Sequence, residues 1–329
     1  YAMNPDIYVL DEPTANLDHK AIEILKAQMR KIKSEGKTIL IAEHRIFFLT
    51  DLIDRAVYME DGLIKRIYSR DEFLALNEEE RVLMGLRTIE NKALGGLGTG
   101  DTNHLRRREL EIDMYSKGKD ERGFVDRGEI EELEVNDLTY AYKQKRIFNN
   151  LSFKVTSGEV LGIVGHNGRG KTTLLRCLAG LIKEASGEIF FGGKKVNMKK
   201  RNKLCYLIMQ DVNHQLFSNS VWNECNLHDS DINDETIEEV LSSFDLLRFK
   251  DSHPMALSGG QKQRLAIATG VLCGKKILLF DEPTSGLDYQ HMIAVSQTIR
   301  KLAKAGHIII IVTHDMEFLE CTCTRRLEI

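Results

Sequence analysis

A nine-residue run combines glycines, a lysine and threonines at a spacing suited to holding phosphate groups. It reads Gly165-His166-Asn167-Gly168-Arg169-Gly170-Lys171-Thr172-Thr173. Glycines let backbone N–H groups close around phosphate oxygens, Lys171 can reach the β- and γ-phosphates, and the Thr172 hydroxyl can ligate Mg²⁺. An apolar run at 160–164 precedes the loop as a strand, and an apolar stretch at 174–178 follows as a helix. The N-terminal dipole of that helix would face the phosphates.

Two adjacent carboxylates, Asp281 and Glu282, come directly after the apolar run at 277–280. Four consecutive apolar residues suit a parallel strand that is buried on both faces. The carboxyl end of such a strand is where doubly wound sheets place their ligands. Asp281 can serve Mg²⁺ through its water shell while Glu282 polarises the attacking water. The two motifs together predict a site for Mg·ATP.

The carboxylate motif occurs twice. Asp11-Glu12-Pro13-Thr14-Ala15-Asn16-Leu17-Asp18 recurs as Asp281-Glu282-Pro283-Thr284-Ser285-Gly286-Leu287-Asp288, an offset of 281 − 11 = 270. The same offset relates His44 to His314, each of which ends an apolar run. It also relates the apolar faces of two predicted helices. The first face is formed by Ile22, Leu25, Met29 and Ile32, and the second by Met292, Val295, Ile299 and Leu302. This self-similarity predicts two homologous units.

A third motif lies between the phosphate loop and the carboxylates of the second unit. It reads Leu257-Ser258-Gly259-Gly260-Gln261 and leads into an apolar helix that Ser258 is suited to cap. Followed by Asp-Glu-Pro-Thr, this motif resembles the signature of ATP-binding cassette (ABC) ATPases. The resemblance covers residues 131–329 and 1–69. It implies an α/β fold of the P-loop NTPase class, with a mostly parallel sheet, flanking helices and a helical signature subdomain.

The resemblance assigns roles to further residues. It implies that Tyr142 stacks on adenine, that Gln210 senses Mg²⁺, that His314 contacts the γ-phosphate and that Asp288 reaches across a dimer. ABC ATPases work as head-to-tail pairs, so Ser258, Gly259, Gly260 and Gln261 would serve the opposite ATP site. The first unit keeps the equivalents Asp11, Glu12, Asp18 and His44.

The repeat also predicts how the chain is divided. We expect the C-terminal part of a first cassette at 1–69, a linker at 70–130 and a nearly complete second cassette at 131–329. The linker would begin as a helix from Asp71 to Leu83 and continue as flexible chain through the glycine-rich run at 95–100. The counterpart of Lys171 would lie at 171 − 270 = −99, and the sequence starts with Tyr1. We therefore expect a piece of a longer tandem protein.

The composition limits the binding partners and the cellular compartment that we expect for this protein. A net charge of −3 provides no overall attraction for nucleic acid, and no nucleic-acid partner is expected. The six cysteines do not form a zinc-like pattern, so free or buried thiols in a reducing compartment are expected. The apolar runs are far shorter than the roughly 20 residues needed to span a bilayer.

Two functions fit the tandem arrangement. The segments Ala42-Glu43-His44-Arg45 and Gln210-Asp211-Val212-Asn213-His214-Gln215-Leu216-Phe217 resemble energy-coupling-factor (ECF) transporter ATPases. That resemblance implies an ATPase bound to transmembrane subunits at the cytoplasmic face of the cell membrane, powering uptake of vitamins or of cobalt and nickel ions. The alternative is a tandem ABC ATPase that acts on ribosomes. Those proteins usually carry a strongly basic helical linker, whereas residues 70–130 are mixed in charge and broken by glycines.

Overall fold

A computed structural model describes residues 4–14, 17–60, 62–89, 130–143, 145–227 and 232–329. The predicted glycine-rich part of the linker, at 95–100, lies outside these residues. Packing divides the chain into two units, Tyr1–Asp101 with Gly286–Met292 and Thr102–Ser285 with Ile293–Ile329.

The strands are, in chain order, β1 (Ile7–Asp11), β2 (Thr38–Ala42), β3 (Arg55–Glu60), β4 (Leu63–Ser69), β5 (Glu132–Tyr142), β6 (Lys145–Thr156), β7 (Val160–Val164), β8 (Ser186–Phe191), β9 (Lys194–Lys195), β10 (Cys205–Ile208), β11 (Ile277–Asp281), β12 (Ile308–Val312) and β13 (Arg325–Glu328). The α-helices are α1 (His19–Ser34), α2 (Arg70–Leu74), α3 (Glu78–Leu83), α4 (Lys171–Leu178), α5 (Met198–Leu204), α6 (Val221–Cys225), α7 (Asp234–Ser243), α8 (Gly259–Leu272), α9 (Tyr289–Lys304) and α10 (Met316–Thr322).

The second unit contains a five-stranded parallel sheet in the order β10-β11-β12-β7-β13. Every residue of β7, β11 and β12 is buried, which explains why these strands are continuous apolar runs in the sequence. The predicted strands at 160–164, 277–280 and 308–312 are confirmed. An antiparallel sheet in the order β6-β5-β8-β9, which the sequence analysis did not predict, completes the unit.

The core of the second unit lies between these two sheets and α4. Val135 of β5, Leu161 of β7, Leu174 of α4 and Leu279 of β11 pack in one cluster and are fully buried. Burying a side chain of this size is worth about 1.5–3 kcal/mol. The core therefore fixes the start of α4, and with it the phosphate loop, against the ends of the parallel strands.

The first unit contains a parallel pair, β1-β2, and an antiparallel pair, β3-β4. Residues Ile22 and Met29 of α1 pack with Phe48 in a buried cluster against one face of β1-β2. The other face is exposed, and its apolar residues Ile7, Val9 and Leu40 are open to solvent. The predicted helix faces are confirmed in both repeats, since Met292, Val295, Ile299 and Leu302 are also buried.

The helix predicted from Asp71 to Leu83 is wrong as a single element. The structure has two short helices there, α2 and α3, each closed at its N-terminus by a capping box. Ser69 caps α2 together with Glu72, and Asn77 caps α3 together with Glu80. The Asn77 side chain satisfies the first backbone N–H groups of a new helix, so the chain breaks at that point.

All six cysteines are free, and five of them are buried, as expected from their spacing. Burial raises the pKa of Cys177, Cys205 and Cys225 to about 12, so these thiols stay protonated at neutral pH. Within the described ranges, no helix has the length and apolar character to cross a membrane.

Candidate nucleotide site

The phosphate loop connects β7 to α4, as the sequence predicts. Lys171 begins α4, is 7 % exposed, and donates from Nζ to the carbonyl oxygens of Gly165 at 2.8 Å and His166 at 3.0 Å. These bonds fold the lysine back along its own loop, so the ammonium group lies where the loop curves. A cation held in this way is suited to binding phosphate.

Gly170 allows the loop to enter α4. Its φ of +95° lies in the left-handed region, and a Cβ at this position would overlap the side chain of Ile147. Any other residue would therefore push the loop away from β6. His166, Asn167, Gly168 and Arg169 lie exposed at the loop surface, while Thr173 is half-buried.

Thr172 and Asp281 are brought together by the fold. The Thr172 side chain hydrogen-bonds Asp281, which is 7 % exposed at the end of β11. Burial raises the pKa of the Asp281 carboxyl, while the Thr172 hydrogen bond and the charges of Arg176 and Lys171 oppose that rise. A hydroxyl and a carboxylate are oxygen ligands of the kind Mg²⁺ prefers, so these two residues fit the predicted metal.

Glu282 is held by the segment that follows β12. Its Oε2 accepts hydrogen bonds from the Thr313 hydroxyl at 2.8 Å and from the His314 backbone N–H at 3.3 Å. The His314 ring nitrogen Nε2 lies 3.7 Å from Glu282 Oε1 and 2.8 Å from Asn167 Oδ1 of the phosphate loop. His314 therefore connects the glutamate to the phosphate loop, and its predicted contact with the terminal phosphate stays a prediction.

These groups meet because of the strand order. The phosphate loop follows β7, the histidine follows β12, the carboxylates follow β11 and Gln210 follows β10. The four strands are parallel neighbours, so their carboxyl ends lie at one edge of the sheet. Tyr142 ends β5 and is 62 % exposed, and the Lys143 ammonium group lies 5.7 Å from the centroid of its ring. An exposed aromatic ring of this kind can stack on a planar ligand.

Several known proteins are similar to this chain in sequence or in fold. The family model for the ABC transporter matches residues 148–285. A protein of Treponema denticola, provisionally named an ABC transporter ATP-binding protein, is 42 % identical over 99 % of this chain and 63 % of its own length. A solved structure of cbiO1 from Clostridium perfringens, described as part of the ABC transporter complex cbiONQ, is 31 % identical with a TM-score of 0.53. It covers 60 % of this chain and 83 % of its own.

The chain belongs to the ABC transporter ATP-binding protein family. The expected P-loop NTPase fold of ABC ATPase type is thereby confirmed, and proteins of this family hydrolyse ATP. An HMP/thiamine import ATP-binding protein of Bacillus subtilis, YkoD, also provisionally named, is 30 % identical over 97 % of this chain and 59 % of its own length. The chain spans about three fifths of the length of these curated relatives.

The predicted signature of this ABC protein opens α8. Ser258 and Gln261 form a capping box, in which each side chain binds the other residue's backbone N–H. Gly259 and Ser258 are exposed, whereas Gly260 is buried. The Lys262 ammonium group donates to Asn213 Oδ1 at 3.0 Å, which ties α8 to the segment after Gln210. This contact was not predicted, because neither segment contains a sequence pattern that indicates it.

The first repeat of the family motif keeps part of the same geometry. Glu12 and Glu282 both have a left-handed backbone, with φ of +40° and +48°. Each donates its N–H to the last residue of the neighbouring strand, Ala42 or Val312. A non-glycine residue in this conformation costs energy, so finding it twice marks a shape that the motif imposes on the chain. The His44 ring nitrogen lies 3.5 Å from Glu12 Oε1.

Asp18 and Asp288 have a local role in their own repeats. Asp18 Oδ1 accepts the Ala21 N–H at 2.8 Å, and Asp288 Oδ1 accepts the His291 N–H at 2.8 Å. Both aspartates therefore cap the helix that follows them. Their predicted reach across a dimer stays a prediction.

The repeats differ at the acid beside the histidine. In the second repeat, the Thr284 hydroxyl donates to Asp315 Oδ2 at 2.8 Å. In the first repeat, the equivalent Thr14 hydroxyl donates to Glu43 Oε2 at 2.7 Å, although Glu43 precedes its histidine and Asp315 follows the other. The longer glutamate side chain of the first repeat reaches the equivalent threonine from a different position in the sequence. Glu43 also replaces Thr313, so Glu12 lacks the equivalent of the hydroxyl that binds Glu282.

Proposed function

We propose that this chain binds and hydrolyses Mg·ATP to power uptake through an ECF-type ABC transporter. The observation that carries the ATPase proposal is the single sheet edge that presents Lys171, the Thr172–Asp281 pair and the Glu282–His314 pair. These groups supply the parts that phosphoryl transfer needs, namely a phosphate cradle, a metal-binding pair and a base for the attacking water.

Each residue has a defined task in this proposal. Lys171 and the backbone of the phosphate loop hold the β- and γ-phosphates, and Tyr142 stacks on the adenine ring. Thr172 and Asp281 would hold Mg²⁺, with Gln210 nearby on the same sheet edge; the bound ion neutralises charge on the phosphates. Glu282 accepts the proton of the attacking water, and Thr313 orients its carboxylate. His314 holds the γ-phosphate and is oriented by Asn167.

The transport role rests on the relatives. One is named for HMP/thiamine import, and another is described as part of the complex cbiONQ. The first description favours import, and both favour transport over action on ribosomes. We infer that this chain binds transmembrane subunits peripherally, at the cytoplasmic face of the membrane. We also infer that its cassette pairs with another cassette, so that the Ser258–Gln261 motif completes the partner's ATP site.

Nucleotide binding tests the proposal directly. The change is Lys171→Ala, which removes the cation facing the phosphates, and the expected result is loss of binding. The measurement is a titration with a fluorescent ATP analogue in the presence of Mg²⁺. Lys203→Ala, at an exposed lysine of α5, is the matched control and should bind like the unaltered chain. Equal affinity in Lys171→Ala and Lys203→Ala would rule out the assigned site.

A further inference from the structure

Arg87 stands out because it is a charged residue with almost no exposure. It is 2 % exposed, and it donates from Nε at 3.1 Å and from Nη2 at 3.0 Å to the carbonyl oxygen of Leu287. Two residues away, the Gly85 carbonyl accepts the Tyr289 N–H at 3.1 Å. Three hydrogen bonds within the first unit thus join segment 85–87 to the loop 286–289.

Segment 85–87 is rigidly supported by α3. The capping box of Asn77 and Glu80 fixes the start of this helix. At its end, the Leu86 N–H binds the Arg81 carbonyl and the Gly85 N–H binds the Val82 carbonyl. This pair of bonds is a Schellman motif, with Gly85 at the left-handed position and a φ of +71°. Arg87 therefore extends from a helix whose two ends are both closed.

The loop that Arg87 holds belongs to the carboxylate motif. Leu287 lies five residues after Glu282, and Asp288 caps α9. Gly286 lies against the first repeat's glutamate, because a Cβ at Gly286 would be 3.0 Å from Glu12 Oε2. A shift of this loop would therefore alter the surroundings of Glu12 and the chain that leads away from Glu282.

We propose that Arg87 is a positioning residue for ATP hydrolysis, which holds the loop 286–289 through the Leu287 carbonyl. This inference rests on the proposed function for its effect on hydrolysis. The guanidinium fork makes two bonds to one oxygen, a geometry that a lysine cannot reproduce. The segment after the first repeat thereby controls a loop of the second repeat's motif without touching nucleotide.

The experiment compares Arg87→Ala and Arg87→Lys with Arg70→Ala. Arg70 is a matched control, since it also donates from Nε to a backbone carbonyl. Arg70 is exposed, however, and the carbonyl it binds is that of Thr50, outside the loop 286–289. Hydrogen exchange of the peptide 286–292 should become about tenfold faster in Arg87→Ala, since each 1.4 kcal/mol of lost protection is a factor of ten. In Arg87→Lys the increase should be smaller, and in Arg70→Ala there should be none.

Kinetics separate positioning from a purely structural role. In Arg87→Ala, kcat should fall about tenfold or more, while KM for ATP stays within about twofold of the unaltered chain. Unchanged exchange at 286–292 would overturn the proposal, and so would faster exchange with an unchanged kcat. If Arg87→Ala does not fold, Arg87→Lys provides the same comparison. Failure of the unaltered chain to bind the ATP analogue would count against the proposed function, while the exchange result would still test the Arg87 anchor.

Discussion

Asp281 and Glu282 are neighbours in sequence, yet their surroundings prepare them for different chemistry. Asp281 is buried beside the Thr172 hydroxyl, and burial raises the pKa of its carboxyl. A bound cation would favour the ionised form of such a group. Glu282 instead receives hydrogen bonds from the Thr313 hydroxyl and the His314 backbone, which orient one of its oxygens and leave the other facing the histidine ring. The geometry therefore favours Asp281 as the metal ligand and Glu282 as the base.

Glu282→Gln separates binding from chemistry. The amide keeps the shape of the side chain but cannot take a proton, so ATP hydrolysis should fall by about 10²–10⁴-fold while nucleotide binding persists. The measurement is the steady-state release of phosphate beside the fluorescent-analogue titration. Glu188→Gln is the control, because Glu188 is exposed and pairs with a surface lysine, Lys195. Hydrolysis at the unaltered rate in Glu282→Gln would exclude Glu282 as the base.

At the scale of elements, the two repeats place equivalent strands in opposite environments. Leu279 of β11 is fully buried in the core of the second unit, whereas its counterpart at the offset of 270, Val9 of β1, is 70 % exposed. The sequence motif is the same, but β11 has β10 and β12 as neighbours and an antiparallel sheet nearby. In the structure described, β1 pairs with β2 alone.

The matched substitutions Leu279→Ala and Val9→Ala test this difference. Leu279→Ala should lower the free energy of unfolding by about 2–5 kcal/mol, since it leaves a cavity in a dense core. Val9→Ala should change it by less than about 0.5 kcal/mol, as is usual for exposed positions. Urea unfolding monitored by circular dichroism gives both values. Similar losses in the two variants would mean that β1 is covered in solution.

The sequence was sufficient to predict those elements that are encoded by a few adjacent residues. The apolar strands β7, β11 and β12, the phosphate loop and the cap of α8 each follow from a few adjacent residues, and the structure has them as predicted. The antiparallel sheet was missed because its strands alternate with no motif to mark them. The hydrogen bonds of Asn167 with His314 and of Arg87 with Leu287 span 147 and 200 residues, so only the fold could reveal them.

At the scale of the whole molecule, the motifs in this stretch of sequence decide which parts of an ATP site it can supply. The sequence contains one phosphate loop and one signature motif, and both lie in the second repeat. Under the proposed head-to-tail pairing, these two motifs of one cassette would serve different ATP sites. In a pair made of two copies of this stretch, Lys171 of one copy would meet Ser258 of the other.

Mixing two inactive variants tests this arrangement. Lys171→Ala should lack a working phosphate loop and Ser258→Arg a working signature, so each alone should hydrolyse ATP poorly. An equal mixture should recover about a quarter of the unaltered rate, since half of the pairs are mixed and each mixed pair holds one complete site. The rate of the unaltered chain should also rise more than linearly with protein concentration. A linear rate in dilute solution, with no recovery on mixing, would show that the site forms within one chain.

The exposed apolar face of β1 and β2 affects the solubility of the protein. Ile7, Val9 and Leu40 present apolar side chains to water on the β1-β2 sheet, and among the residues that the structure describes no further strand pairs with either β1 or β2. Such surfaces favour strand-to-strand aggregation, and a net charge of −3 adds little mutual repulsion. Precipitation should therefore begin at this face, and a lysine at one of these three positions would act as a gatekeeper that keeps concentrated solutions clear.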